Sequence, residues 1–159
     1  KIYNQGYDIV GHFHSKKSND VDEGTGDRWR QYLLANLIGS KEAINDIFAP
    51  FEGNNVGLVF AEDCHNIDFG KNKAYADELC DAMSIERLES ATLFPLGTMF
   101  WANPKALSPL FELNMSDYLQ QEPLPYDGSY MHATERLISH VVTVSGYVIK
   151  TVYTPNTKW

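Results

Sequence analysis

Two histidines one residue apart, His12 and His14, open the densest run of phosphate-compatible groups in this chain. Lys16, Lys17 and Ser18 follow at once, and Arg28 and Arg30 come soon after. Four of the 13 basic residues thus fall in one short stretch of an acidic protein. Lysine offers a point charge and arginine a planar fork, and both suit phosphate oxygens. A charge cluster by itself is more often a solvated surface. The paired imidazoles add chemistry that such a surface does not need. If Tyr7 to His14 is a strand, period two puts both rings on one face. They then stand at its C-terminal end, where open α/β sheets bind ligands.

A second dense group is Asp127-Gly128-Ser129-Tyr130-Met131-His132-Ala133-Thr134-Glu135-Arg136. On a helix, His132, Glu135, Arg136 and Ser139 share a polar face. Asp127 precedes that helix. Its carboxylate can serve as a general base or simply as an N-cap. Asp63-x-His65 follows an apolar strand-like run, a common place for site residues, and Asp63 is the next candidate base. In Phe94-Pro95-Leu96-Gly97-Thr98-Met99-Phe100-Trp101, Gly97 leaves room for a close backbone approach. Trp101 offers a ring for stacking, whereas Met99 and Phe100 read as core.

These groups need elements to position them. Helical periodicity covers Arg28 to Ile38, and Ser40 reads as the N-cap of a following helix with Ile44, Ile47, Phe48 and Phe51 on one face. Ser18 to Asp27 has the polar, glycine-containing composition of a loop. Val56 to Ala61 reads as a strand covered on both faces. Further helices are expected over Lys73 to Met83, Pro104 to Phe111 and Gly128 to Val144. Further strands are expected over Gly97 to Ala102 and Tyr147 to Tyr153, with Glu122 to Tyr126 extended and broken by prolines. Strands alternating with helices predict an α/β domain with a mixed sheet flanked by helices.

Composition narrows the function classes. The chain has 159 residues, 43% of them hydrophobic and 13% aromatic, which suits one domain with a full core. A net charge of −8 argues against nucleic acid as a partner. Cys64 and Cys80 form neither a metal pair nor a disulfide framework, as expected in a reducing compartment. No stretch approaches the ~20 apolar residues of a membrane span, and no secretory signal pattern is seen. A cytoplasmic protein is the expectation.

Several segments together resemble the rhamnan synthesis protein F family of bacterial glycosyltransferases that build cell-surface polysaccharides. They are D-I-V-G-H-F-H-S-K-K-S from Asp8, W-R-Q-Y-L-L from Trp29, V-G-L-V from Val56, F-P-L-G-T-M-F-W-A-N-P-K-A-L from Phe94 and L-P-Y-D-G-S-Y-M-H-A-T-E-R from Leu124. Ser129-Tyr130-Met131-His132 departs from the family's usual Thr-Leu-Ala-His. The resemblance implies the C-terminal part of a GT-A fold, with residues 1–159 a fragment lacking the N-terminal nucleotide-binding half. It implies transfer, by analogy of rhamnose from a dTDP-sugar, to a saccharide acceptor. It also implies work at the inner face of the membrane in a peripheral complex. Asp127 becomes the base that deprotonates the acceptor hydroxyl. His12, His14, Lys16, Lys17, Ser18, Arg30, Gly97, Thr98, Glu135 and Arg136 become donor-binding residues. Trp101 and Tyr126 become acceptor platforms. A divalent cation, Mg or Mn, is held by His14 and His132 if the reaction needs one. No Asp-x-Asp stands at the first strand, where His12-x-His14 takes its place.

Two other classes fit some of the residues. A metal-dependent phosphoesterase could use the His12-x-His14 motif. A non-catalytic carbohydrate-binding domain could use Trp29, Trp101 and Tyr126 as stacking platforms.

Overall fold

The run Val56–Ala61 is buried along its whole length, and the rest of the chain is arranged around it. A computed structural model of the protein describes residues 6–14, 23–53, 55–65 and 67–159. Lys16, Lys17 and Ser18 lie outside the described residues. Four strands form one mixed sheet: β1 (Val10–His12), β2 (Val56–Ala61), β3 (Phe100–Ala102) and β4 (Val148–Val152). Their order is β1-β3-β2-β4. β3 is antiparallel to both β1 and β2, while β4 runs parallel to β2. The C-terminal ends of β1, β2 and β4 therefore share one edge with the start of β3.

Helices cover both faces of the sheet. Helices α1 (Glu23–Ile38) and α2 (Lys41–Phe48) pack Tyr32, Leu33, Leu37 and Ile47 against Val56, Val59, Ala61 and Met99. On the other face α5 (Tyr130–Val144) packs Ile138, Val141 and Val142 against Leu58, Phe60, Phe100 and Ala102. Helix α3 (Lys73–Met83) lies outside α5, joining Ala76, Leu79 and Cys80 to Ala133 and Leu137. Ser40 caps α2 by accepting from the Ala43 N–H at 3.1 Å. This is the α/β architecture with a helix-flanked mixed sheet that the alternating pattern predicts.

Several boundaries differ from the sequence reading. Helix α1 begins at Glu23, inside the segment expected to be a loop. Its first turns are supported by Thr25–Arg28 and Asp27–Arg30 side-chain pairs at helical spacing. Strand β1 spans only Val10–His12, because it pairs with the equally short β3 alone. Gly97 and Thr98 are not strand: both have positive φ (74° and 55°) and form a turn before Phe100. Pro104–Phe111 is divided into a 3₁₀ turn (Pro104–Leu107) and a short helix α4 (Ser108–Glu112). Helix α5 starts at Tyr130, with Ser129 rather than Asp127 as its N-cap.

Strand β2 does not alternate simply. Val56 and Val59 face the same side, because one extra residue is inserted opposite the β4 pair Val148/Ile149. Gly57 is that residue, and the bulge re-aims the strand. A Cβ there would lie 2.5 Å from Tyr147 Cβ, 2.8 Å from Ala106 Cβ and 2.9 Å from Val142 Cγ1. Gly57→Ala is expected to cost about 1–3 kcal/mol through overpacking, read as a lower urea midpoint with an unchanged slope. An unchanged midpoint would show that α5 and β4 can move apart at no cost.

Candidate functional site

The shared sheet edge gathers residues that are distant in sequence. His12 Nδ1 donates to the Thr98 carbonyl at 2.6 Å, and His14 Nε2 donates to the Gly97 carbonyl at 2.7 Å. Both imidazoles are exposed and share one face, with ring centroids 6.2 Å apart. The His12 ring also stacks on Phe100 at 5.4 Å. One nitrogen of each ring thus fixes the turn.

Thr98 is β-branched in a left-handed conformation, a strained state that needs external support. Beyond the two histidines, its hydroxyl donates to Glu135 Oε1 at 3.0 Å from α5. Gly97 is required at its place, since a Cβ would meet Leu33 Cδ1 at 2.9 Å and the Trp29 ring at 3.2 Å. Burial pushes the Glu135 carboxyl above the usual range. The Thr98 hydroxyl, Arg136, His132 and the Gly97 N–H oppose that shift. Arg136 lies 3.9 Å from Glu135, donates to the carbonyls of Asp68 and His132, and spreads over the Phe94 ring at 5.6 Å.

Asp127 is engaged differently from the expectation. Its Oδ2 accepts from the Lys71 N–H at 3.0 Å, and its Oδ1 accepts from the Asn72 side chain and, at 3.1 Å, from the Gly128 N–H. The Lys71 N–H leads in holding the carboxyl below its usual range. Asn72, Arg136 and Gly128 act in the same direction, and burial works against them. A carboxylate so supplied with donors is a weak base. It clasps the start of α3 to the loop before α5. Fully buried Asn72 completes the clasp, its Oδ1 accepting from the Gly128 and Ser129 N–H groups at 2.9 Å each. No pattern in the sequence marks Asn72, because a lone asparagine before a helix is ordinary.

Trp101, expected to be a stacking platform, is half-buried against the core. Its Nε1 donates to the Leu37 carbonyl at 3.0 Å, and its ring packs edge-on against Phe13 and Phe48. The ring also fills the space over Gly11, where a Cβ would meet it at 2.8 Å. Tyr126 is 75% exposed, free to act as a platform. Arg30 turns along α1 toward Asp27 at 3.5 Å.

Past the end of β2, Asp63 and His65 form a hydrogen-bonded pair. Asp63 Oδ1 accepts from the His65 backbone N–H at 2.8 Å and from its Nδ1 at 2.7 Å, while Oδ2 accepts from Trp159 Nε1 at 3.2 Å. The Asp63 side chain is only 4% exposed, whereas that of His65 is 51% exposed. The imidazole lies over the Trp159 ring at 4.6 Å. Beside them opens a cavity of about 380 Å³, walled by Tyr32, Asp63, Cys64, Tyr153 and Trp159. Cys64 Sγ is 3.7 Å from His65 Nδ1, the nitrogen that already donates to Asp63.

The pair expected to hold Mg or Mn offers imidazole nitrogens, whereas these hard cations favour oxygen ligands. Of the expected metal pair, His14 is bonded to Gly97, and His132 Nδ1 pairs with Ser129 Oγ at 2.8 Å. The carboxylates of Asp63, Asp127 and Glu135 all face protein donors.

The Asp127 clasp has a thermodynamic signature. In Asp127→Asn one oxygen becomes an NH₂ facing donors, so a loss of about 1–3 kcal/mol is expected in chemical denaturation. The carboxyl is depressed by folding, so its contribution is present above the usual 3.8 and lost as pH falls through its lower folded value. The variant should therefore lose less stability than the native chain on acidification below about pH 4. Identical stability and acid profiles would remove the clasp.

The model of the rhamnan synthesis protein F family matches residues 1–147. An uncharacterized protein, WxcX, of Xanthomonas campestris pv. campestris (strain B100) is 30% identical over 157 residues. Its counterpart in a second strain of that pathovar is 28% identical over the same length. Each alignment takes in 96% of this chain but only 22% of the relative, so the chain spans about a fifth of those proteins. No solved structure matches. Among the described residues, no helix is long and apolar enough to cross a membrane. With the family match running from the paired histidines through the polar face of α5, the chain belongs to the rhamnan synthesis protein F family.

Proposed function

We propose that the chain is the donor-handling part of a glycosyltransferase in polysaccharide synthesis, acting on a nucleotide sugar and a saccharide acceptor. The carrying observation is the web at the sheet edge. His12 and His14 hold the Gly97 and Thr98 carbonyls, and Thr98 holds Glu135. Segments from three parts of the chain thereby meet at one place, and each brings phosphate-compatible groups.

Each imidazole donates from one nitrogen to the turn, and its second nitrogen is a donor to a diphosphate oxygen whenever the ring carries both protons. Lys16 and Lys17 come two and three residues after His14 in sequence and supply charge without directional demand. Arg136 presents a guanidinium already fixed by two carbonyls and an aromatic face, so little ordering is needed on binding. As the sugar leaves, charge develops on the diphosphate, and these cations stabilise it. Tyr126, exposed on the loop before α5, is assigned to the acceptor. A dTDP-sugar as donor rests on the family's name and the resemblance alone.

In the full-length protein, replacing both Lys16 and Lys17 by Ala should weaken donor binding about tenfold or more, the scale of one lost charge-assisted bond. Calorimetry with dTDP-rhamnose and with dTDP reads this directly. Unchanged affinity for both ligands removes the diphosphate assignment. Absence of donor binding and of sugar transfer by the native full-length protein removes the transferase reading altogether.

A further inference from the structure

Resting on that reading, we propose that His65, positioned by Asp63, is the general base that takes the hydroxyl proton of a saccharide acceptor held in the cavity walled by Tyr32, Tyr153 and Trp159. Three observations carry it. The Asp63 carboxylate is almost completely buried, and its acceptors are directed at the His65 backbone, the His65 ring and Trp159. The imidazole it holds is half exposed and lies over Trp159, one wall of a cavity large enough for a sugar ring. Donation from Nδ1 places the neutral ring's lone pair on Nε2, across the ring from Asp63. A buried carboxylate that fixes the tautomer of an accessible imidazole is the arrangement that proton abstraction needs.

Location agrees with the chemistry. His65 follows β2 on the edge where His12, His14 and the Gly97–Thr98 turn gather the donor groups. The ring has Trp159 on one side and lines a shallow cleft with Thr92, Phe94 and Leu96 on another. Phe94 is the ring beneath Arg136. The base thus stands between Trp159, at the cavity wall, and the Phe94 ring beneath Arg136. Asp127, by contrast, faces three donors from the protein itself.

The step balances without a co-reactant. The acceptor O–H proton passes to His65 Nε2. The oxygen's electron pair forms the new bond to the anomeric carbon. The bond from that carbon to the diphosphate breaks, and its electron pair leaves on the nucleotide. The imidazolium that results is ion-paired with Asp63 and returns its proton to solvent from its exposed edge. Among the described residues, the other charged or titratable groups lining the cavity beside the pair are Glu62, Cys64, Lys158, Tyr32 and Tyr153.

The test uses the full-length protein with a dTDP-sugar and a saccharide acceptor. His65→Gln keeps the ring's volume approximately and removes the base. The turnover rate should fall about 10²–10⁴-fold, with donor affinity unchanged, and the acidic limb of the pH–rate profile should disappear. Asp63→Asn should also lower turnover more than it raises KM, and shift that limb, because an amide can favour the opposite tautomer. His65→Gln keeping more than a tenth of the rate with the acidic limb intact overturns the assignment and leaves the transferase reading standing. Absence of donor binding and of transfer by the native protein overturns both. Nitrogen NMR of His65 gives a readout independent of turnover and of any folding defect in Asp63→Asn. The proton is expected on Nδ1 in the native protein, and a proton on Nε2 alone, or zinc held by Cys64 and His65, overturns the proposal.

Discussion

Two consecutive residues in the left-handed region, Gly97 and Thr98, set the geometry on which the rest of the edge depends. For threonine this conformation is costly, and it persists only where neighbours over-determine it. Here the neighbours are His12 at the end of β1 and His14 just beyond it, Glu135 from α5, and the Leu33 and Trp29 side chains from α1. The turn is therefore held from the edge strand and from both helical layers. It also aims β3, which begins at Phe100 and pairs with β1 on one side and β2 on the other. A local strain at one turn thus fixes both the sheet register and the position of the charged groups around it.

Much of this architecture is legible in the sequence because burial writes a strong pattern. Val56–Ala61 and Lys73–Met83 fall where the apolar run and the helical period place them. The shared face of His12 and His14 follows from strand period alone. What the sequence conceals are tertiary solutions to local problems. Glycines at 24 and 26 look like loop residues, yet side-chain pairs carry α1 through them. The aromatic residue at 101 looks like a binding platform, but its ring is drawn over Gly11 and into the α1–α2 layer. Asp127 looks like a helix cap because it precedes a helix, while its donors come from residues 71 and 72, more than fifty positions away. Hydrogen bonds of that separation leave no periodic trace.

The two aspartates contrast in a way that composition cannot show. Asp127 and Asp63 both follow a strand or precede a helix and both are bonded at each carboxylate oxygen. The difference lies in the identity of the donors. Asp127 receives main-chain and amide donors that have no further chemistry, so its charge is spent on holding backbone. Asp63 receives an imidazole that remains half exposed, so its charge is transmitted to a titratable ring. Role is thus decided one bond beyond the carboxylate.

Strand β1 is three residues long, lies at the sheet edge and pairs with a partner some ninety residues later in the chain. Its three residue pairs must hold against the entropy of closing that loop. Both histidines that pin the Gly97–Thr98 turn belong to this short end. The charged edge consequently depends on a small pairing at the rim of the sheet rather than on its core. In the folded protein the same economy of contacts means that fraying of one short ribbon, with β2 and its helices intact, would release both pins together.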